Sequence, residues 1–323
     1  MTTISPAIHE QRVALGEALV HLGQEFPDLV VLSPDVSPST RATRFQAVFP
    51  ERFICTGISE QNTIGMAAGL STLGWMPVIA GYAMFVGGKA WEPMRNSIAY
   101  SHLNVKIAAT HAGIGVGPDG VTHQAIEDLA LMRSIPGMTV LTPMDAGQVE
   151  PALRAALAIQ GPVYIRLERP PMPVLSSPGT PYPVGGSLQM RAGGDAAVFA
   201  IGGMVAGALA AAGLLAEEGI QVRVISILSV KPLDEEAVVS AALETGAIVT
   251  AEDHNCYGGL GGAVAEALAR LAPAPLEQVA VKDTFAESGK AAALYTKYHL
   301  TPADIAVAVK RVIARKNPPR SRV

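Results

Sequence analysis

GISEQNTIGMAAGLSTLGWMPVIAG, residues 57–81, admits two readings. No charged residue or histidine occurs from Thr63 to Gly88. An uncharged apolar run longer than about 18 residues can cross a bilayer. Gly69, Gly74, Pro77 and Gly81 interrupt this one and divide it into a helix over 60–73 and a strand over 76–81. A second uncharged run, 196–216, divides at Gly202-Gly203 into the strand AAVFAI (196–201) and an Ala-rich helix (204–217). Small residues dominate both runs, so both read as buried pieces of a globular core and not as membrane spans.

The same strand–helix pattern extends outward. Apolar runs at 29–34, 52–57, 105–110, 139–143 and 163–167 read as strands, with helices expected at 7–24, 85–101, 123–134 and 145–159. Such alternation predicts a parallel sheet covered on both faces. ERPPMPVLSSPGTPYPVGG (168–186) then carries six prolines, a density that suits neither a helix nor a central strand. It reads as an extended linker. A second alternation follows, with strands at 196–201, 221–227, 247–252 and 278–283 and helices at 204–217, 233–244, 259–271 and 302–315. The fold expected is α/β with two parallel-sheet-based domains, 1–170 and 191–323, joined by a Pro-rich linker over 171–190.

Composition limits the function. The 323 residues carry a net charge of −4 and are 49% hydrophobic, so no electrostatic footprint for nucleic acid is present. Cys55 and Cys256 lie far apart in apolar contexts and read as reduced, buried thiols. MTTISPAIHEQR lacks a basic start followed by an apolar core. A cytoplasmic protein is the expectation.

Ligands of parallel α/β sheets bind beyond the carboxyl ends of the strands. Asp35, Ser37 and Ser39 follow one expected strand, Glu60 another, Tyr82 and Phe85 a third. His111, Asp119 and His123 follow a fourth, and Arg169 a fifth. A lone acid before an apolar helix has a plain alternative: Ser59 can cap the helix and Glu60 suits its positive end. His111, Asp119 and His123 match no standard metal-ligand spacing. The glycine-rich segment 112–120 lacks both the GxGxxG spacing and the P-loop ending, and no GxSxG elbow occurs.

Over nearly its whole length the chain resembles the transketolase family of thiamine diphosphate enzymes, specifically the C-terminal subunit of a split transketolase. The segments that carry the resemblance are GISEQNTIGMAAGL (57–70), THAGIGVGPDGVTHQAIEDLALMRSIPGMTVLTPMDA (110–146), TAEDHNCYGGLGGAVAEALA (250–269) and DTFAESG (283–289). The resemblance implies a pyrimidine-binding domain followed by a transketolase C-terminal domain. It implies that Glu60 hydrogen-bonds a ring nitrogen of the cofactor's aminopyrimidine, promoting the tautomer that activates the thiazolium carbon. Phe85 would pack on that ring, with Tyr82 beside it and Asp35 near the cofactor. Gly88 stands where the family often has an aromatic, which implies a more open pocket. His111 and His123 would bind donor hydroxyls and relay protons, and Asp119 would read a substrate hydroxyl. Arg12, Ser39 and Arg169 would hold a sugar phosphate, with Arg166 an alternative to Arg169. Arginine suits that role because its planar fork makes paired, charge-assisted bonds.

The resemblance also implies an absence. Family members bind the cofactor's diphosphate through Mg2+ or Ca2+ held by a Gly-Asp-Gly motif with an Asn farther on. Here Asp119-Gly120 follows proline, and none of the five asparagines stands where that motif needs one. No metal ligand is expected on this chain. An N-terminal subunit with the GDG…N motif is expected as partner, in a heterotetramer of two of each. The activity implied is transfer of a two-carbon ketol unit between a ketose phosphate and an aldose phosphate, part of carbohydrate metabolism. The alternatives are a β-type subunit of a decarboxylating relative (deoxyxylulose-phosphate synthase-like or 2-oxo acid dehydrogenase-like) and a non-catalytic assembly subunit.

Overall fold

A computed structural model describes residues 7–177 and 179–316. Residues 57–81 fold as helix and strand. The helix spans Glu60–Thr72 and ends where Gly74 takes a φ of 90°, a left-handed conformation open to glycine. Ile64, Ala67 and Ala68 face the core, where burying one Ile side chain contributes about 1.5–3 kcal/mol. The strand Met76–Tyr82 runs between Leu29–Ser33 and Lys106–Ala112, in parallel with both. Pro77, which cannot donate to a ladder, is in register with Val30 on one side but precedes the first pair on the other, Val78–Lys106.

Two sheets result. The first has seven strands in the order Ser229–Lys231, Thr139–Leu141, Val163–Glu168, Lys106–Ala112, Met76–Tyr82, Leu29–Ser33, Phe53–Cys55. All pairs are parallel except the one made by Ser229–Lys231, which crosses from the later part of the chain to close this sheet's edge. The second has five strands in the order Leu276–Val281, Ile248–Asn255, Ala196–Ala200, Val222–Ile227, Ser187–Arg191. Its last strand is antiparallel and takes in residues of the segment read as linker. The proline-rich stretch also contributes Met172–Pro173, paired with Ile8–His9.

Several expectations need correction. The helix expected over 85–101 is instead a π-helical turn at Ala83–Lys89, a short turn at Trp91–Pro93 and a second π-helical turn at Met94–Ala99. Gly87-Gly88 and Pro93 weaken the regular ladder, and π turns gather at functional sites. The helix expected from 123 begins at Asp128, because Ala125 bridges to Ala112 instead. A helix at Ala291–Lys297 was not anticipated. Cys55 is exposed, since Phe53–Cys55 is an edge strand, and Cys256 is only half-buried; neither is the buried thiol expected. Ser59 does not cap with its side chain, because its Oγ donates to the Thr56 carbonyl at 2.7 Å.

A buried polar seam ties the two sheets together. Arg166 donates through Nε to Asp128 at 3.0 Å and through Nη2 to the Asp253 carbonyl at 2.7 Å. The Asp253 carboxylate accepts the N–H groups of Ile114 (2.8 Å) and Gly115 (3.0 Å) and the hydroxyl of Tyr295 (3.1 Å). Burial, and then the neighbouring Asp253 carboxylate, raise the Glu168 carboxyl to about 7, while Glu168 accepts the Gly203 N–H at the start of the helix Met204–Glu217. The later part of the chain therefore clamps the loop after Lys106–Ala112. No helix among the described residues is long and apolar enough to cross a membrane.

Candidate functional site

Asp35, Glu60, Phe85, Asp119 and Arg169 all follow the carboxyl ends of parallel strands, so one sheet edge collects them. Glu60 is 3% exposed, although it opens a surface helix. Its Oε2 accepts from Lys89 Nζ at 2.6 Å. No donor reaches its Oε1 among the described residues. The turn Ala83–Lys89 carries both Lys89 and Phe85, and so links the carboxylate to an aromatic group. Tyr82 and Phe85 lie 6.0 Å apart between ring centroids, and Phe85 meets His123 edge-on at 5.1 Å. At Gly88 an added Cβ would meet the Met84 methyl, the flexible end of a side chain.

His111 completes the aromatic group, stacked on Tyr82 with centroids 3.9 Å apart. A register shift between Ala109 and Ala112 and a φ of 60° at His111 turn the imidazole out of the ladder. A non-glycine residue in that region is strained and persists only where its surroundings hold it. Thr110 Oγ1 lies 2.9 Å from its Nδ1. Burial first, and then the guanidiniums of Arg169 and Arg12, push the imidazole down to about 3, so it is neutral at physiological pH.

The same edge holds a charged group. Arg169 pairs with Asp119 at 3.0 Å and donates to the Val116 carbonyl at 2.6 Å. Arg12 pairs with Glu10 at 2.7 Å and donates to the Ser39 carbonyl at 3.4 Å. The Arg12 hydrogen bond holds the Glu10 carboxyl below its ordinary value, and the charges of Arg12, Arg41 and Arg169 add to that. No group of three or more His, Cys, Asp or Glu is placed to hold a metal among the described residues.

Comparisons with known proteins meet this geometry. The family model for the transketolase pyrimidine-binding domain matches residues 10–173, and that for the transketolase C-terminal domain matches residues 185–305. This chain belongs to the transketolase family. It corresponds to the C-terminal subunit of a split transketolase, one transferase subunit of a divided enzyme. A putative transketolase C-terminal section from Methanocaldococcus jannaschii is 40% identical over 309 residues, covering 95% of this chain and 97% of the relative. The 6-deoxy-6-sulfo-D-fructose transketolase subunit SqwH of Clostridium sp. (strain MSTE9) is also 40% identical, covering 96% of each. A solved split-gene transketolase, described as an inactive β4 tetramer, superposes with a TM-score of 0.90 at 49% identity, covering 95% of this chain and 99% of that one.

Within this transketolase subunit, the structure brings together most but not all of the sequence-derived residues. Tyr82, Phe85, His111 and His123 form one aromatic group, and Arg12, Ser39, Asp119 and Arg169 flank it. Asp35 stands apart, exposed, with Cys55 Sγ at 3.9 Å as its side chain's one hydrogen-bond neighbour among the described residues. Arg166 lies in the interior seam, 3% exposed, and cannot take the place of the half-buried Arg169. His254 is buried, with Nδ1 2.8 Å from the Asn255 carbonyl and Nε2 unpartnered. Sequence reasoning missed three charged residues here: Lys89, Glu10 and Arg41. Lys89 had a signal, since it ends the uncharged run that begins after Glu60.

Proposed function

We propose that this transketolase chain carries the pyrimidine and substrate half of a thiamine diphosphate site, and that a partner subunit carries the diphosphate and metal half. Together they move a two-carbon ketol unit from a ketose bearing an anionic tail, such as a phosphate, to an aldose. The observation that carries this is Glu60: a buried carboxylate with one oxygen on Lys89 and the other open, joined by one turn to an aromatic group. An acid for a ring nitrogen beside aromatic faces for the ring fits an aminopyrimidine.

Thiamine diphosphate, when bound, supplies the carbon nucleophile for the donor carbonyl. Glu60 would hold the pyrimidine's ring nitrogen and share a proton with it. Tyr82 and Phe85 would pack the ring, and Asp35 would lie at the cofactor's margin. His111, kept neutral, would accept or donate a hydrogen bond at a donor hydroxyl without adding charge. His123, more exposed, would move a proton at the reacting carbon's oxygen. Asp119 would take a substrate hydroxyl, and Arg12, Ser39 and Arg169 the anionic tail.

The partner would carry the Gly-Asp-Gly…Asn motif and its Mg2+ or Ca2+, in a heterotetramer of two of each chain in the cytoplasm. The relative solved as an inactive tetramer of β chains alone supports a chain that needs its partner. A decarboxylating synthase is the second reading. It is favoured by 35% identity to 1-deoxy-D-xylulose-5-phosphate synthase of Geobacter sulfurreducens, although this chain spans 48% of that enzyme.

The test mixes this chain with the GDG…Asn subunit, thiamine diphosphate and Mg2+, and offers ketose phosphates with aldose phosphates, or pyruvate with glyceraldehyde 3-phosphate. Ketol transfer supports the first reading and CO2 release the second. Turnover by the purified single chain would overturn the divided site.

A further inference from the structure

The arginines proposed to hold the donor's tail already have an anion of their own. Glu10 sits one residue before the helix Gln11–Glu25, and its carboxylate bonds Arg12 Nε at 2.7 Å. That nitrogen belongs to a guanidinium assigned above to the substrate. Glu10 also lies within the fields of Arg41 and Arg169. Arg41 caps the short helix Ser37–Thr40, immediately after Ser39 and Thr40, in a left-handed conformation with φ of 64°. Its backbone is pressed against Gly16, one turn along the helix from Arg12, where a Cβ would meet the Arg41 carbonyl. Its Nε is buried without a partner, and Arg41 forms no ion pair among the described residues.

Arg12, Arg41 and Arg169 bring three positive charges, Glu10 and Asp119 remove two, and His111 is neutral. Among the described residues of this group, one positive charge remains for a ligand. A sulfonate carries one negative charge at neutral pH, whereas a phosphate monoester carries about 1.5 to 2. A dianion in this pocket would displace Glu10 from Arg12 or sit beside it against repulsion. Repulsion from a fixed charge scales with the ligand's own charge.

We propose that Glu10 is a built-in counter-anion that biases the arginine pocket toward a donor with a singly charged tail, such as a sulfonate, over one with a dianionic phosphate, and that Arg41 supplies the uncompensated positive charge. This rests on the transketolase reading for the identity of the ligand, but not for the charge count.

Three ketoses of one skeleton test it: fructose, 6-deoxy-6-sulfofructose and fructose 6-phosphate. Their binding to the full chain without cofactor is titrated by NMR, and their KM is measured with the assembled enzyme. For a partly solvated pair, Glu10→Gln should tighten binding about threefold per unit of tail charge. The phosphate then gains about tenfold, the sulfonate about threefold and fructose nothing. Glu10→Asp should behave like the wild type. Arg41→Gln should weaken the tails in the same order and leave fructose unchanged. An equal effect on all three sugars, or a phosphate gain no larger than the sulfonate gain, overturns the proposal. If the titrations follow the predicted order and the assembled enzyme shows no ketol transfer, this inference stands and the transketolase assignment of substrates fails.

Discussion

Replacing Lys89 with Met tests whether the Glu60 carboxylate is held by that ammonium. The pair is asymmetric: the Glu60 side chain is 4% exposed, Lys89 is 51% exposed, and Nζ lies 2.6 Å from Oε2. Water around the lysine screens the attraction, so the value belongs near the solvent limit, about 1–2 kcal/mol. Met preserves the aliphatic stem that packs along the turn Ala83–Lys89, so the substitution removes charge more than volume. The buried carboxylate then lacks its partner, and urea denaturation of the chain at pH 7 should show a loss of about 1–2 kcal/mol. Glu60→Gln removes the other charge. In that background Lys89→Met should cost nearly nothing, because no carboxylate remains to be stranded. The double-mutant cycle therefore carries a coupling energy of about 1–2 kcal/mol. If the two losses add to within about 0.5 kcal/mol, the pair does not exist in solution and the geometry argued for Glu60 is wrong.

Glu60→Gln should fold normally and, with the partner subunit present, lose about 10²–10⁴-fold in kcat, since it removes the group proposed to share a proton with the cofactor ring; near-wild-type turnover would refute the role. His111 titrates at about 3 when folded and at an ordinary 6.5 when unfolded. The unfolded chain then binds more protons between these values, and stability should fall as pH drops from 6.5 toward 3. His111→Asn should make that acid limb shallower in pH-dependent thermal melts. Gly113→Ala places a Cβ against the Asp253 carboxylate at a φ of 77°. It should cost about 1–3 kcal/mol from backbone strain alone in a urea titration. Asp253→Asn faces the Ile114 and Gly115 N–H groups with a weaker acceptor, and the same titration should show a loss of about 1–3 kcal/mol.

The elements legible in the sequence were those whose pattern is complete within one segment. The helix expected over 60–73 and the strand over 76–81 differ from Glu60–Thr72 and Met76–Tyr82 by a single residue at one end each. Glycine and proline punctuation plus an unbroken apolar strand suffice when both faces of a sheet are covered. The segment 85–101 failed because apolar spacing alone does not distinguish 3.6 residues per turn from the wider π turn. Ser229–Lys231 failed because three residues carry no period, and its partner Thr139–Leu141 lies far back in the chain. Cys55 was misread because an apolar neighbourhood in sequence does not reveal that its strand is the last in the sheet. At the site, strand-end position identified the polar residues but not their pairing. Lys89 reaches Glu60 across 29 residues, and Arg169 reaches Asp119 across 50, separations for which no spacing rule exists.

These pairings decide how the site must work. Glu60 is held by Lys89, Arg12 by Glu10, and Arg169 by Asp119. Three of the charged groups proposed to meet a ligand, Glu60, Arg12 and Arg169, already have a partner within the chain. Ligand affinity at these three groups would therefore be a difference between two ion pairs or hydrogen bonds, and not the strength of a new one. The partners are unequally solvated: Lys89 is half exposed, whereas the Glu10 side chain is 28% exposed beside an Arg12 that is 16% exposed. Lys89 can turn to water at small cost when a ring nitrogen approaches Glu60. Glu10 has less water to turn to and stays near the arginines it neutralises. On the proposed reading the cofactor end of the site would thus be easily vacated, while the substrate-tail end would keep its internal charge. On the proposed reading the carboxylates of Glu10 and Asp119 would set the tail selectivity more than the arginines, because each arginine attracts every anion whereas each carboxylate repels it in proportion to its charge.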